Sequence, residues 1–325
     1  MDQLLQVKDL CVNYQLKEGC LSAVESVSFS LKKGEIFALV GESGCGKSTT
    51  AYSIMNLLRN GNEIVSGEIS FMGQNILTLN HDEMAKIRGK KIGMIFQNPL
   101  DSLNPVYSAG WQIQEALLID KIPKEDAWKR TLELFKDVRI PDAQSRMSSF
   151  PHELSGGMRQ RVMIAMMLSR SPELLIADEP TTALDVTIEA QILEIIKHLK
   201  EAYGASIMII THNFGVVAEL ADQIGVMYAG KLVEQGSVFQ IFDNPAHPYT
   251  RLLLRSLPRI RKHEGRLETI PGTVPKFIGP IEACRFANRC PGAMPLCHEK
   301  RPENVSIESG HTCACHRAGK EAGQE

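Results

Sequence analysis

Gly41-Glu42-Ser43-Gly44-Cys45-Gly46-Lys47-Ser48-Thr49 fits the spacing G-x-x-x-x-G-K-[ST] at every fixed position. Glycines let consecutive backbone N–H groups turn inward around a phosphate chain. Lys47 adds a point charge for the outer phosphates, and Ser48 offers a hydroxyl to Mg²⁺. A bare glycine-rich turn is the bland alternative, but the stretch lies between the apolar run 36–40 and an apolar helical pattern beginning at Thr50. That strand–loop–helix context is what the motif requires, and it points to a bound nucleotide. Asp178 and Glu179 close a second apolar run, 174–177. A strand-end carboxylate at Asp178 suits a Mg²⁺ shell, and Glu179 could position or deprotonate an attacking water. Leu154-Ser155-Gly156-Gly157-Met158-Arg159-Gln160 pairs a good N-cap with two glycines at a helix start, which makes a second phosphate-binding helix end. A nucleotide needs only one cradle, so the second would serve the nucleotide of another subunit; an ordinary capped helix is the plain alternative.

The elements that must position these groups can be read from periodicity. Residues 4–7, 10–14 and 24–31 are strand-like, and 67–71 followed by a turn at 72–74 repeats the style, so an antiparallel β layer is expected beside the nucleotide core. Helical spacing covers 111–119, 124–138 and 156–169. Strand, helix, strand returns over 174–177, 188–203 and 206–210, and a hairpin is expected about Ala229-Gly230. Parallel strands alternating with helices imply a doubly wound α/β core. Beyond about residue 240 prolines punctuate the chain and a small appended domain is expected, with frayed residues 318–325.

Of 325 residues, 43% are hydrophobic and 23% charged, with a net charge of −2. That is ample for a packed core and gives no basic face for nonspecific nucleic-acid binding. No apolar run approaches the roughly 20 residues of a membrane helix, and charges at Asp2 and Lys8 are unlike a signal peptide, so a cytosolic chain is expected. Eight cysteines are unevenly placed: Cys284, Cys290, Cys297, Cys313 and Cys315 crowd near the end, which in a reducing compartment suggests a metal more than disulfides. Thiolates suit an Fe–S cluster or tetrahedral Zn²⁺, and spacing does not separate these or exclude free thiols. Cys45, inside the loop, reads as filler at a variable position; as a side hypothesis, a thiol at a helix N-terminus could have a lowered pKa and react with thiol reagents unless nucleotide protects it.

Taken together, these motifs resemble the ATP-binding subunits of ABC transporters over residues 4–240. Gly41 to Ser48 looks like the family's Walker A, Leu174 to Glu179 its Walker B, and Leu154 to Gln160 its signature motif. The resemblance implies a P-loop (RecA-like) α/β core, an antiparallel β subdomain, and a helical signature subdomain at about 100–170. It implies ATP and Mg²⁺ held by Gly41, Ser43, Gly44, Cys45, Gly46, Lys47, Ser48 and Thr49 together with Asp178. Glu179 would be the catalytic base. Gln97 matches the Q-loop glutamine, touching Mg²⁺ and the lytic water; His212 matches the switch histidine on the γ-phosphate; Asp185, in Ala183-Leu184-Asp185, matches the D-loop. Tyr14 stands where the family stacks adenine, although a lone tyrosine on a strand is more often packing.

Ser155, Gly156 and Gly157 would complete the ATP site of a second ATP-binding subunit in a head-to-tail dimer, and this branch usually has two different ATPases. Asn98 to Pro105, and Asn244 to Thr250 with the leucines after it, resemble the dipeptide, oligopeptide and nickel importer branch. Its C-terminal extension would span 241–325. Aligned on Gly310-His311 and Cys315-His316, the cluster ligands would be Cys284, Cys290, Cys297 and Cys315, with Cys313 an extra. Two membrane permease subunits, an extracytoplasmic solute-binding protein acting indirectly, and a peripheral place on the cytoplasmic face of the membrane are implied. A soluble ATPase of the same superfamily, acting in DNA repair or translation, is the alternative. It would show a long heptad insertion or two cassettes in one chain, and neither is visible.

Overall fold

The computed structural model describes residues 3–58, 63–98, 102–182, 185–257, 270–279 and 281–318. Pro99, Leu100, Asp101, Ala183 and Leu184 of the predicted motifs lie outside them. The chain forms two compact units, one of Lys32–Gly34 with Leu79–Ile210, the other of Asp2–Leu31, Glu35–Thr78 and Thr211–Glu325. Each is described by itself.

The second unit begins with β1 (Gln3–Leu16) and β2 (Gly19–Lys32), followed by β3 (Ile36–Val40), α1 (Lys47–Ile54), β4 (Glu63–Phe71) and β5 (Gln74–Asn75). Residues 4–7 and 10–14, expected as two strands, are one. The pairing of β1 with antiparallel β4 shifts register between Lys8 and Cys11, where Asp9 takes φ 45°. That bulge is held across the strands: the Asp9 N–H donates to Ser28 Oγ at 2.8 Å, and the Ser28 hydroxyl returns a bond to the Asp9 carboxylate. The sheet order β2-β1-β4-β5 is the expected antiparallel layer.

The first unit contains α2 (His81–Ile87), β6 (Ile92–Ile95), α3 (Ala109–Ile119), α4 (Lys124–Asp137), α5 (Ala143–Arg146), α6 (Gly156–Leu168), β7 (Leu174–Asp178), α7 (Val186–Tyr203) and β8 (Ser206–Thr211). Strands β6, β7 and β8 are parallel with β7 central, and every residue of the three is buried. Continuous apolar runs suit strands covered on both faces. The helices begin where short polar side chains cap them: Ser108 accepts from Trp111 N–H and Asp185 from Ile188 N–H. Gly204 ends α7 in the left-handed conformation.

The second unit resumes with α8 (Phe214–Leu220), β9 (Gln223–Tyr228), β10 (Lys231–Ser237), α9 (Val238–Asp243), α10 (Pro248–Arg255), α11 (Pro295–Glu299), β11 (Val305–Glu308) and β12 (His311–Cys313). Strand β9 runs parallel to β3 and antiparallel to β10, and β12 adds to the other side of β10 with β11 outside it. The β9–β10 turn puts both Ala229 and Gly230 at positive φ, the two-residue geometry whose twist matches the strands. Tyr228 packs edge-on against Tyr249 and Phe286, which tilt against each other, with centroids 4.7–5.3 Å apart, joining β9, α10 and the cysteine-bearing segment in one core.

Candidate functional site

In the second unit the chain leaves β3 and enters the phosphate loop. Gly46 takes φ 104° and caps α1; a Cβ there would stand 2.6 Å from the Ala23 carbonyl oxygen. At Gly41 a Cβ would stand 2.1 Å from the carbonyl oxygen of Met227. Both positions therefore need glycine for steric reasons that do not depend on a ligand. Lys47 is buried, and its Nζ donates to the carbonyls of Gly41 (2.8 Å) and Glu42 (3.0 Å), so the cation sits inside the loop.

The loop is also braced from behind. Gly230 N–H donates to the Cys45 carbonyl at 2.8 Å, and Glu42 N–H donates to the Tyr249 hydroxyl at 3.0 Å. Cys45 corrects an expectation. Its thiol is fully buried, and burial pushes its pKa up in spite of the Lys47 charge, so it is not the acidified thiol that a helix N-terminus suggested. Tyr14 is half-buried on β1 opposite Glu63, and His212 is exposed just past β8.

In the first unit β7 ends in Asp178, which is 1% exposed, and Glu179 follows at φ 46°. That left-handed residue is tied to the sheet by its N–H to the Ile210 carbonyl at 2.8 Å. Its carboxylate receives the Thr182 hydroxyl at 2.7 Å and the Gln97 side-chain amide at 3.1 Å on the same oxygen. Gln97 and Glu179 are thus brought together. Thr182 was not singled out from the sequence, where only its place three residues after Glu179 could have signalled a turn contact.

Ser155 caps α6 by accepting from Met158 N–H at 3.3 Å, with Gly156 open around its Cα. Gly157 is different: a Cβ there would meet the Ile188 side chain at 2.8 Å, so this glycine also serves helix packing. Asp185 caps α7 through Ile188 N–H at 2.9 Å. Gln112, also missed, holds the segment after the Q-loop by accepting from Asn104 N–H and donating to the Asn104 and Tyr107 carbonyls.

Cys284, Cys290, Cys297 and Cys315 line one small cavity with Phe286, His247 and His316. Burial pushes the Cys284 thiol up to about 11, and the neighbouring Cys297, Cys315 and Cys290 add to the rise. Burial also raises Cys290. Cys313 is elsewhere, on β12, buried, with its thiol raised by burial and then by Glu234. Among the described residues no group of three or more His, Cys, Asp or Glu side chains is close enough to hold a metal ion.

A phosphate loop and a carboxylate-tipped strand are the two working parts of an ATP-binding cassette, and comparison with known proteins agrees. Residues 24–182 match the ABC transporter family and residues 233–297 match the oligopeptide/dipeptide transporter C-terminal region. A probable peptide ABC transporter ATP-binding protein, y4tR of Sinorhizobium fredii, is 50% identical over 322 residues, covering 98% of this chain and 96% of the relative. The oligopeptide transport ATP-binding protein OppD of Bacillus subtilis is 49% identical over 312 residues, 95% of this chain and 87% of the relative. The dipeptide transport ATP-binding protein DppD of the same species is 47% identical over 317 residues, 97% and 95%.

Among solved structures, the dimeric post-hydrolysis state of the ATP-binding cassette MJ0796, bound to ADP and Pi, matches with TM-score 0.65 at 29% identity, covering 72% of this chain and 99% of that one. The chain belongs to the ABC transporter family, as an ATP-binding, ATP-hydrolysing subunit. The match over residues 233–297 is to the C-terminal region of that family's oligopeptide/dipeptide transporters, so the alternative of a soluble repair or translation ATPase finds no support. No helix among the described residues is long and apolar enough to cross a membrane.

Proposed function

We propose that the chain powers uptake of di- or oligopeptides through two separate membrane permease subunits, from the cytoplasmic face of the membrane. Residues 1–240 would form the ATP-binding domain and 241–325 the importer-type extension. The carrying observation is the pairing of Gln97 and Thr182 on the Glu179 carboxylate, which orients a base at the strand end where ATP hydrolysis needs one. Lys47 and the N–H groups of Gly44 to Thr49 hold the phosphates, and Tyr14 stacks the adenine. His212 steadies the γ-phosphate, while Glu179 takes the proton of the attacking water.

Ser48, Asp178 and Gln97 supply the hard oxygen ligands that Mg²⁺ prefers, and when bound the ion neutralises charge on the outer phosphates. Ser155, Gly156 and Gly157 complete the site of a second, similar ATPase, with Asp185 signalling across the dimer. Closure on ATP and reopening after hydrolysis move the permeases between inward- and outward-facing states. A solute-binding protein outside delivers cargo, so residues of this chain do not choose the peptide. Reconstituted with its membrane subunits in vesicles, the wild-type chain should support peptide uptake with MgATP. Glu179→Gln should keep nucleotide binding and lose hydrolysis by on the order of a hundredfold or more. Hydrolysis without any peptide uptake would overturn the reading.

The same proposal assigns a [4Fe–4S] cluster, with Zn²⁺ as the alternative, to Cys284, Cys290, Cys297 and Cys315. Support comes from the donor set: these four thiols line one cavity, Cys313 is not part of it, and no carboxylate among the described residues lines it, although the thiols lie too far apart to hold a single ion as they stand and binding would have to draw them together. A bound cation would reverse the rise in thiol pKa and tie the segment together. The optical spectrum of anaerobically purified protein tests this, since a colourless, zinc-loaded sample ends the iron–sulfur assignment.

A further inference from the structure

The phosphate loop carries a carboxylate, Glu42, next to the position where a polyphosphate must enter. In water such a charge would repel the ligand, yet here it is cancelled from a distant part of the chain. Arg289, 247 positions later, lays its guanidinium fork on the Glu42 side chain with Nη1–Oε1 and Nη2–Oε2 contacts of 3.1 and 3.0 Å. The arginine side chain is 8% exposed and the glutamate 26%.

Arg289 is itself fixed. It donates to the carbonyls of Pro271 and Gly272 and to the Tyr228 hydroxyl, and its guanidinium lies 5.7 Å from the Tyr228 ring centre. Glu42 in turn has every polar group engaged: its carboxylate by Arg289, its N–H by the Tyr249 hydroxyl, its carbonyl by Lys47 Nζ. A fork this rigid fixes direction as well as charge, which a lysine could not do.

We propose that Arg289 is a positioning residue for ATP binding: through Glu42 it neutralises and orients the mouth of the phosphate loop, so that the loop's affinity for nucleoside triphosphate depends on the C-terminal segment. The inference rests on the reading of Gly41 to Thr49 as the ATP loop. Without Arg289 a carboxylate on the phosphate loop itself is left uncompensated, and the loop loses the fork that fixes residue 42.

The test measures MgATP affinity of the full chain by titration calorimetry, with thermal unfolding recorded for every variant. Arg289→Ala should weaken binding on the order of tenfold, raising KM for ATP while leaving kcat at saturation near wild type. Arg289→Lys, which keeps the charge and loses the fork, should fall between. The loss on removing Arg289 should shrink to within about twofold when Glu42→Gln is already in place, because the effect passes through that carboxylate. Should Arg289→Ala fail to fold, Arg289→Lys, alone and combined with Glu42→Gln, gives the same comparison. An unchanged ATP affinity, or a loss of equal size whether or not Glu42 is present, overturns the proposal. A wild-type chain that binds no MgATP overturns the ATP reading along with it.

Discussion

Glu179 occupies a left-handed backbone conformation that costs a non-glycine residue about 1–2 kcal/mol. The bond from its N–H to Ile210 offsets that cost and aims the carboxylate at the strand end, where Thr182 and Gln97 both hold the same oxygen. Thr182→Val should therefore slow hydrolysis on the order of tenfold with MgATP affinity little changed, read by single-turnover phosphate release against a binding titration. Asp120 shows a different use of a carboxylate. Arg170 holds it by two 2.7 Å bonds with Lys90 beside it, and this fork keeps its pKa down at about 2. A depressed carboxylate stabilises the fold above its unfolded pKa and loses that contribution as pH falls through the folded value. Asp120→Asn should thus cost about 1 kcal/mol at pH 7, progressively less as pH falls from about 5, and nothing at about pH 1, below the folded value, measured by denaturant unfolding across that range. Chemistry-bearing residues such as Lys47, Asp178 and Glu179 were legible because motif and spacing sit within a few positions of each other. Thr182, Gln112 and Arg289 were not, since their roles depend on which distant backbone they meet.

At the scale of elements, packing explains what composition leaves open. Gly156 and Gly157 look equivalent in the sequence, but only Gly157 faces the Ile188 side chain of α7. Gly157→Ala should destabilise the chain by about 1–3 kcal/mol, and Ile188→Ala on that background should recover part of the loss in thermal unfolding. If stability is unchanged while ATP-driven activity falls, the glycine is there for the nucleotide alone. The helix start at Ser155 was readable from its cap residue, and the β9–β10 hairpin from Ala229-Gly230, whereas the caps at Ser108 and Asp185 show only in the fold. The single bulged strand β1 was not, because the polar pair Lys8-Asp9 interrupts alternation and its compensation comes from Ser28 on β2.

At the scale of the molecule, the second unit is built from both ends of the chain. Glu25 on β2 is met by Arg285, Arg301 and Lys231, and the cysteine-bearing segment packs on β9 through Phe286. Glu234 on β10 is buried and satisfied by the N–H groups of Ala246 and His247 and by His311 Nε2 at 2.8 Å. Removing one partner of a buried charge is expensive, so His311→Ala should lower unfolding free energy by about 3 kcal/mol, with His311→Gln recovering part of it in the same melt. An α/β core and an antiparallel layer were foreseeable from the alternation of runs and turns, and the motifs' resemblance to a known family supplied the P-loop type of that core. That the last strands join the sheet beside β10 was not, because nothing local to His311 names its partner 77 residues earlier.

Strand β12 has a consequence for the nascent chain. Synthesis delivers β10 first, and the 77 residues separating Glu234 from His311 take about 4–15 s to add. Through that interval β10 is an open edge, able to template pairing with another newly made chain. An inward-pointing carboxylate on such an edge is a known deterrent, and Glu234 supplies one until His311 arrives to neutralise the need for it. The same side chain thereby guards the unfinished sheet and later locks the finished one.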